Sequence, residues 1–261
     1  ITKKCKNKQN VVGIHYFSPM HKMQLVEIVT NENTSKNTAD TALSLVLNQN
    51  KLPVFVKVLE ILSLKQDSPG FFVTRILGCA IAEIFDIYEE AYPKYIVDIQ
   101  LREFGFPQDM SELIDTVGLD TCLQIHTYLC SRLGERFSIL KENNLLKFLV
   151  ESGDLGKKSG SGINTYNPDG KKSLIRIPGD NFHSYIREKE SYILLNEYSE
   201  QILIRIIMRM LNESCKCLEE GVIDSPTIGD LAAIYGVGFP AHMGGPFTYI
   251  DKVSPSHVVS E

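Results

Sequence analysis

Short apolar runs and one amphipathic stretch organise the start of the chain. Residues 11–17 are β-branched and aromatic and end at a Ser-Pro pair, which predicts a strand entering a turn. Residues 24–29 and 53–58 predict two further strands. Between them, residues 34–50 begin with a Thr-Ser cap and place apolar side chains at helical spacing. Strands separated by a helix indicate an α/β unit.

From about residue 67 the apolar spacing becomes helical and then repeats itself. Residues that recur at an offset of 130 positions are Arg75 with Arg205, Glu83 with Glu213, and Glu89 with Glu219. Two short motifs also recur once small insertions are allowed. Residues 105–107 correspond to residues 238–240, and residues 113–115 correspond to residues 249–251. We therefore expect two copies of one helical module, joined by a polar linker over residues 167–190.

Composition narrows the classes of function. A net charge of −5 with 43% hydrophobic residues is typical of a globular protein without the basic field that nucleic acid requires. No apolar run approaches the roughly 20 residues of a membrane span. The six cysteines form no CxxC pair and have no histidine at metal spacing, so we expect reduced thiols and no metal site. The absence of an initiator Met suggests an incomplete chain.

His15 and Glu27 are the candidate catalytic pair. They lie on neighbouring predicted strands, where a histidine can act as a base for a hydroxyl proton and a carboxylate can support the resulting imidazolium. Spacing alone leaves open that the two residues are unrelated. The G-x-G-x-x-G loop that cradles a dinucleotide is absent, so the cofactor-binding residues are unknown.

Several short sequence motifs resemble those of the 3-hydroxyacyl-CoA dehydrogenase family and occur in the same order along the chain. They cover nearly the whole chain and are residues 13–19 (GIHYFSP), 22–28 (KMQLVEI), 67–75 (DSPGFFVTR), 105–107 with 117–120, and 155–162 (LGKKSGSG). The resemblance implies the carboxyl-terminal part of a Rossmann-type NAD-binding domain over residues 1–66, a helical dehydrogenase domain over residues 67–166, and a second, truncated helical copy over residues 191–261.

The resemblance also assigns roles. It implies that His15 is the catalytic base, Glu27 its partner, NAD the cofactor and a (3S)-3-hydroxyacyl-CoA the substrate. Thr74 stands where many members have an Asn that contacts substrate, and its hydroxyl keeps one donor.

The presence of a second helical copy resembles the multifunctional β-oxidation members of the family. Thr74 resembles the residue at this position in the mitochondrial members. This likeness implies an upstream enoyl-CoA hydratase, a thiolase subunit in a hetero-oligomeric complex, membrane association through that complex, and a mitochondrial location.

Two departures keep alternatives open. An apolar insertion of about ten residues follows Lys57, and Pro107 lacks the glycine that follows it in the family. A catalytically decayed assembly module is therefore an alternative function, and a dehydrogenase of a small hydroxy acid is a third. Arg75 and Arg205 are expected to form structural ion pairs, and Lys157 and Lys158 a solvated turn.

Overall fold

The computed structural model describes residues 5–58, 60–61, 66–67, 69–137, 144–173, 181–187 and 199–253. The strands are β1 (Gly13–Tyr16), β2 (Leu25–Asn31), β3 (Leu52–Val58), β4 (Glu60–Ile61) and β5 (Gln66–Asp67). The helices are α1 (Lys36–Asn48), α2 (Phe72–Glu89), α3 (Lys94–Phe104), α4 (Met110–Val117), α5 (Leu119–Leu133), α6 (Leu145–Glu151), α7 (Asn181–Arg187), α8 (Ser199–Glu219), α9 (Pro226–Val237) and α10 (Pro246–Val253). This confirms an α/β part followed by mainly helical structure.

The chain divides into two compact units, which are described separately. The sheet unit comprises Ile1–Leu77 with Met210–Glu261, and the helical unit comprises Gly78–Arg209. The division falls within α2 and α8 and differs from the domain boundaries predicted from the sequence, which stay a prediction.

The sheet unit contains a three-stranded sheet in the order β1-β2-β3. β1 pairs with β2 antiparallel and β2 pairs with β3 parallel, as the crossover through α1 requires. The three predicted strands and the intervening helix are confirmed. Ser35 is the N-cap of α1, and its side chain accepts the Thr38 N–H at 3.2 Å. Val26 and Ile28 of β2 pack with Ala42 and Val46 of α1, which fixes the helix on the sheet.

The end of the chain completes the same unit. The Lys57 N–H donates to the Val222 carbonyl at 2.8 Å, so a segment of the second helical copy extends the hydrogen bonding of β3. A Cβ atom at Gly236 of α9 would lie 2.7 Å from Val73 and 2.8 Å from Leu25. Glycine at this position therefore allows α9 to pack closely beside β2 and the start of α2.

The repeat predicted from the sequence has a structural counterpart in helix capping. In the helical unit, the Asp98 carboxylate on α3 accepts the Ser111 N–H at 3.0 Å and the Ser111 hydroxyl at 2.6 Å, at the start of α4. In the sheet unit, Asp230 on α9 accepts the Phe247 N–H at 2.8 Å and the Thr248 hydroxyl at 2.7 Å, at the start of α10. Each copy thus uses an aspartate of one helix to satisfy the free amides of the next.

The missing glycine after Pro107 does not prevent this cap. In the second copy, a Cβ atom at Gly245 would lie 2.5 Å from the Asp230 carboxylate, so glycine is required there. The first copy makes the equivalent Asp98 cap at Ser111 without a glycine. The aspartate cap therefore forms in the first copy although Pro107 is not followed by glycine.

Ion pairs link the copies reciprocally. In the sheet unit, Arg75 Nε binds Glu213 Oε1 at 2.6 Å and Arg75 Nη1 binds Glu220 at 2.7 Å. In the helical unit, Arg205 Nε binds Glu83 Oε1 at 2.7 Å. Repeat-equivalent arginines therefore pair with repeat-equivalent glutamates of the other copy. The structural ion pairs expected for Arg75 and Arg205 are present.

Candidate active site

His15 and Glu27 lie directly opposite each other across the antiparallel β1–β2 pair. His15 Nδ1 and Glu27 Oε2 are 2.8 Å apart, within hydrogen-bond distance. The Glu27 side chain is fully buried, whereas the imidazole keeps 36% of its surface exposed. A neutral ring that donates from Nδ1 to a carboxylate leaves Nε2 as the acceptor. The arrangement is chemically suited to taking a proton from an approaching hydroxyl.

The second carboxylate oxygen of Glu27 meets the start of α2. The Val73 N–H donates to Glu27 Oε1 at 3.1 Å, and both partners are buried. The first amides of a helix lack partners within the helix, and its amino terminus carries a partial positive charge. The helix terminus therefore supplies a donor and favourable electrostatics to a buried carboxylate that would otherwise be costly.

Two aromatic rings contact the imidazole. The Phe17 ring centroid lies 4.6 Å from that of His15 with an interplanar angle of 56°, and the Phe71 centroid lies 5.4 Å away at 52°. Phe17 directly follows β1 and Phe71 directly precedes α2. Both residues lie in the motifs that resemble the family, but their role could not be predicted, because a ring contact has no sequence signature.

Thr74 lies in the first turn of α2, next to the residue whose amide binds Glu27, and it is half-buried. The structure thus brings all three predicted site residues into one region of the sheet unit. The backbone amide of Val73 is the component that sequence reasoning could not identify, since every residue except proline carries this donor.

The insertion after Lys57 does not displace this region. Its described residues form a small antiparallel ribbon, in which Glu60 pairs with Asp67 and Ile61 with Gln66. The start of α2, beyond the ribbon, still reaches both His15 and Glu27. Within the sheet unit, the contacts of this segment with His15 and Glu27 therefore form in the presence of the insertion.

The basic turn near the end of the first helical copy is held by ion pairs. Lys157 Nζ binds Glu112 at 2.7 Å, and Lys158 pairs with Asp120. All four side chains are about one-third to one-half exposed. The two lysines therefore belong to a partly solvated surface turn that is held by ion pairs.

The same turn encloses a buried carboxylate. Asp115 accepts the Ile163 and Asn164 amides and the Tyr166 hydroxyl, each at 2.8 Å. Burial raises the pKa of Asp115 by more than these hydrogen bonds lower it. A Cβ atom at Gly162 would collide with the Asp115 side chain. Close packing against Asp115 in the helical unit thus explains the glycine at position 162.

Cofactor binding can be tested against the residues present. No glycine-rich phosphate loop occurs in the sequence, so the chain's own residues do not fit the pyrophosphate of a dinucleotide. Among the described residues, no group of three or more His, Cys, Asp or Glu side chains is placed to hold a metal ion.

Two family models match the chain. Residues 1–59 match the NAD binding domain of 3-hydroxyacyl-CoA dehydrogenase, and residues 70–166 match the C-terminal domain of the same family. Together they cover more than half of the chain.

Curated relatives agree with these matches. The chain is 37% identical to fatty acid oxidation complex subunit alpha of Vibrio campbellii over 100% of its own length, and 35% identical to that of Shewanella loihica over 99%. In both cases it spans 34% of the relative, about a third of the relative's length.

Solved structures support the fold. The 3-hydroxybutyryl-CoA dehydrogenase from Escherichia coli K12 superposes with a TM-score of 0.74 at 20% identity, over 98% of this chain and 66% of that one. The dehydrogenase part of multifunctional enzyme 1 from C. elegans gives 0.59 at 22% identity, over 92% and 50%. At these identities the likeness concerns the fold alone.

The mitochondrial location expected from the sequence is wrong. The curated relatives just described come from Vibrio and Shewanella, which are bacteria and have no mitochondria. The expectation depended on one residue, Thr74, which was too little to decide a compartment. Within the described ranges, no helix is long and apolar enough to cross a bilayer.

Proposed function

This chain belongs to the 3-hydroxyacyl-CoA dehydrogenase family, and on that premise we propose that it carries the proton-transfer residues for NAD-dependent oxidation of a (3S)-3-hydroxyacyl-CoA to the 3-ketoacyl-CoA. The observation that carries the proposal is the 2.8 Å contact between a half-exposed His15 and a fully buried Glu27. The match of residues 1–59 to the family's NAD binding domain supports the choice of cofactor.

His15 is the general base of this proposal. Its Nε2 accepts the proton of the substrate's 3-hydroxyl while the C3–H bond breaks and the C–O bond becomes a carbonyl. NAD, if bound by the full-length protein, would supply the acceptor for the hydride of C3. The proton on Nε2 makes the ring an imidazolium, and Glu27 stabilises its positive charge through Nδ1. A later transfer of that proton to solvent restores the neutral base.

Thr74 is the proposed substrate contact. Its place in the first turn of α2 puts it one residue from the amide that binds Glu27. A hydroxyl there donates one hydrogen bond, which suits the substrate's developing carbonyl oxygen.

The proposal is tested by NADH formation from a 3-hydroxyacyl-CoA with the full-length protein. His15→Gln and Glu27→Gln are each expected to lower kcat by about 10²- to 10⁴-fold, the usual contribution of a positioned acid or base. His242→Gln, an exposed histidine of the second copy, is the matched control and is expected to retain the parent rate. Equal rates in parent, His15→Gln and His242→Gln variants would refute the assignment.

The assembly in which the reaction takes place is a further part of the proposal. The relatives named above are alpha subunits of a fatty acid oxidation complex. We propose that the full protein carries an enoyl-CoA hydratase upstream and associates with a thiolase subunit, whose reaction consumes the 3-ketoacyl-CoA product. Any membrane association would then occur through that complex. Co-elution with a purified thiolase subunit, followed by vesicle flotation with and without it, tests both statements.

A further inference from the structure

Within the sheet unit, His15 and Glu27 both contact the segment at the start of α2. His15 binds Glu27 through Nδ1, Glu27 accepts the Val73 amide through its other oxygen, and Phe71, two residues before Val73, returns to contact the His15 ring. The carboxylate that orients the base therefore also holds the backbone segment that carries the contacting ring.

A hydrogen bond at Nδ1 alone does not fix the imidazole. The ring can still rotate about the side-chain torsions that keep Nδ1 near Glu27, and each rotation moves Nε2, the atom that must meet the substrate proton. A second contact on the ring restricts this motion. Aromatic pairs with centroids 4.5–7 Å apart are attractive and prefer inclined geometries, and the 5.4 Å, 52° contact of Phe71 with His15 lies in this range.

Phe71 differs from Phe17 in how it reaches the base. Phe17 lies two positions after His15, and neighbours at that spacing share a side of an extended chain. Phe71 comes from the distant start of α2, where the Val73 amide, two residues later, is bound to Glu27. The same segment therefore supplies the ring contact to His15 and the amide that binds Glu27.

We propose that Phe71 is a positioning residue for the base, because its half-buried ring, 5.4 Å from His15, holds the imidazole in the orientation in which Nε2 meets the substrate hydroxyl. This inference rests on the proposed function, with His15 as the base. Phe71 touches the base and acts on the reaction through it.

The test measures kcat and KM of the full-length protein with Phe71→Leu, which keeps apolar volume and removes the ring. We expect kcat to fall roughly tenfold with KM within about twofold, since misplacing a catalytic group by about 1 Å can cost up to 10²-fold. Phe71→Tyr retains the ring and is expected to restore most of the rate. Phe148→Leu is the matched control, because Phe148 is also half-buried and contacts one ring, Tyr185 at 5.0 Å, in the helical unit.

A double mutant separates positioning from general damage. If Phe71 acts through His15, then Phe71→Leu costs nothing further in a His15→Gln background. An equal loss in both backgrounds, or a rise in KM with kcat unchanged, overturns the inference. Should the leucine variant fail to fold, Phe71→Met fills the same volume with a flexible chain and carries the same expectation.

The outcomes also distinguish the two levels of the argument. A parent that does not turn over, or a His15→Gln variant as fast as the parent, removes the proposed function. An active parent with a slow His15→Gln variant and a Phe71→Leu variant as fast as Phe148→Leu removes only the role of Phe71.

Discussion

The reciprocal arginine pairs allow a prediction in which the chain supplies its own control. Arg75 and Arg205 occupy equivalent positions of the two copies and bind equivalent glutamates, but their surroundings differ. The Arg75 side chain has no exposed surface and its partner Glu213 has 5%, whereas Arg205 is 33% exposed. Replacing each arginine with methionine removes the same charge from a buried setting and from a partly solvated one.

The expected losses follow from burial. Arg75→Met leaves Glu213 buried without its cation, and removing one partner of a buried pair costs about 3–5 kcal/mol of the free energy of unfolding. At Arg205, the buried partner Glu83 keeps a second cation, Arg209, whose Nε lies 3.0 Å from Glu83 Oε2. The other partner, Glu90, is 45% exposed and screened by water, so we expect a loss of about 1 kcal/mol. A second change, Glu213→Leu, should recover part of the Arg75→Met loss, because a packed apolar pair leaves no buried charge.

Urea denaturation of the parent and the variants measures these losses, with the slope of each transition compared to ensure that the exposed surface is unchanged. Equal losses at Arg75 and Arg205, or a loss below about 1 kcal/mol at Arg75, would contradict the reasoning, since burial would then not control the cost.

Two further predictions concern the helical unit. Burial raises the pKa of Asp115, so the folded carboxyl binds its proton more tightly than the unfolded one. Its stabilising contribution is therefore present below the unfolded pKa of about 3.9 and is lost as pH rises through the higher folded pKa. Asp115→Asn removes this titration. The variant should therefore show a flatter dependence of the free energy of unfolding on pH when urea denaturation is measured across the acid range. Gly162→Ala should lower the free energy of unfolding by about 3 kcal/mol through collision with Asp115. Gly160→Ala is the control, because no atom lies within 4 Å of the added Cβ, and its positive φ alone should lower the free energy of unfolding by about 1–2 kcal/mol. Equal melting temperatures for the two variants would refute the packing argument.

Periodicity was sufficient to predict the local elements of the sheet unit. β-branched runs predicted β1, β2 and β3, and the Thr-Ser cap predicted the start of α1. The pairing of His15 with Glu27 required more than periodicity. Neighbouring strands were predictable, but only the antiparallel register places the two residues opposite each other, and register depends on the turn and the buried face rather than on residue spacing.

The repeat shows a similar limit. The offset between the two copies identified Arg75 and Arg205 as equivalent, and equivalence predicted that both would form ion pairs. It did not predict that each arginine would bind a glutamate of the other copy, since a repeat in the sequence contains no information about which copy supplies the partner. The role of the Val73 amide could not be predicted from the sequence either, because almost every residue carries a backbone donor.

The ribbon formed by β4 and β5 has a consequence for how the length of this chain can vary. Its outer ends, Glu60 and Asp67, are paired, so the polypeptide leaves the path between β3 and α2 and returns to it at nearly the same point. A segment with adjacent ends can be shortened, lengthened or exchanged while the sequence on either side keeps its course. This site is therefore where relatives should differ in length at little cost, and where a peptide tag can be placed with little disturbance of the chain on either side.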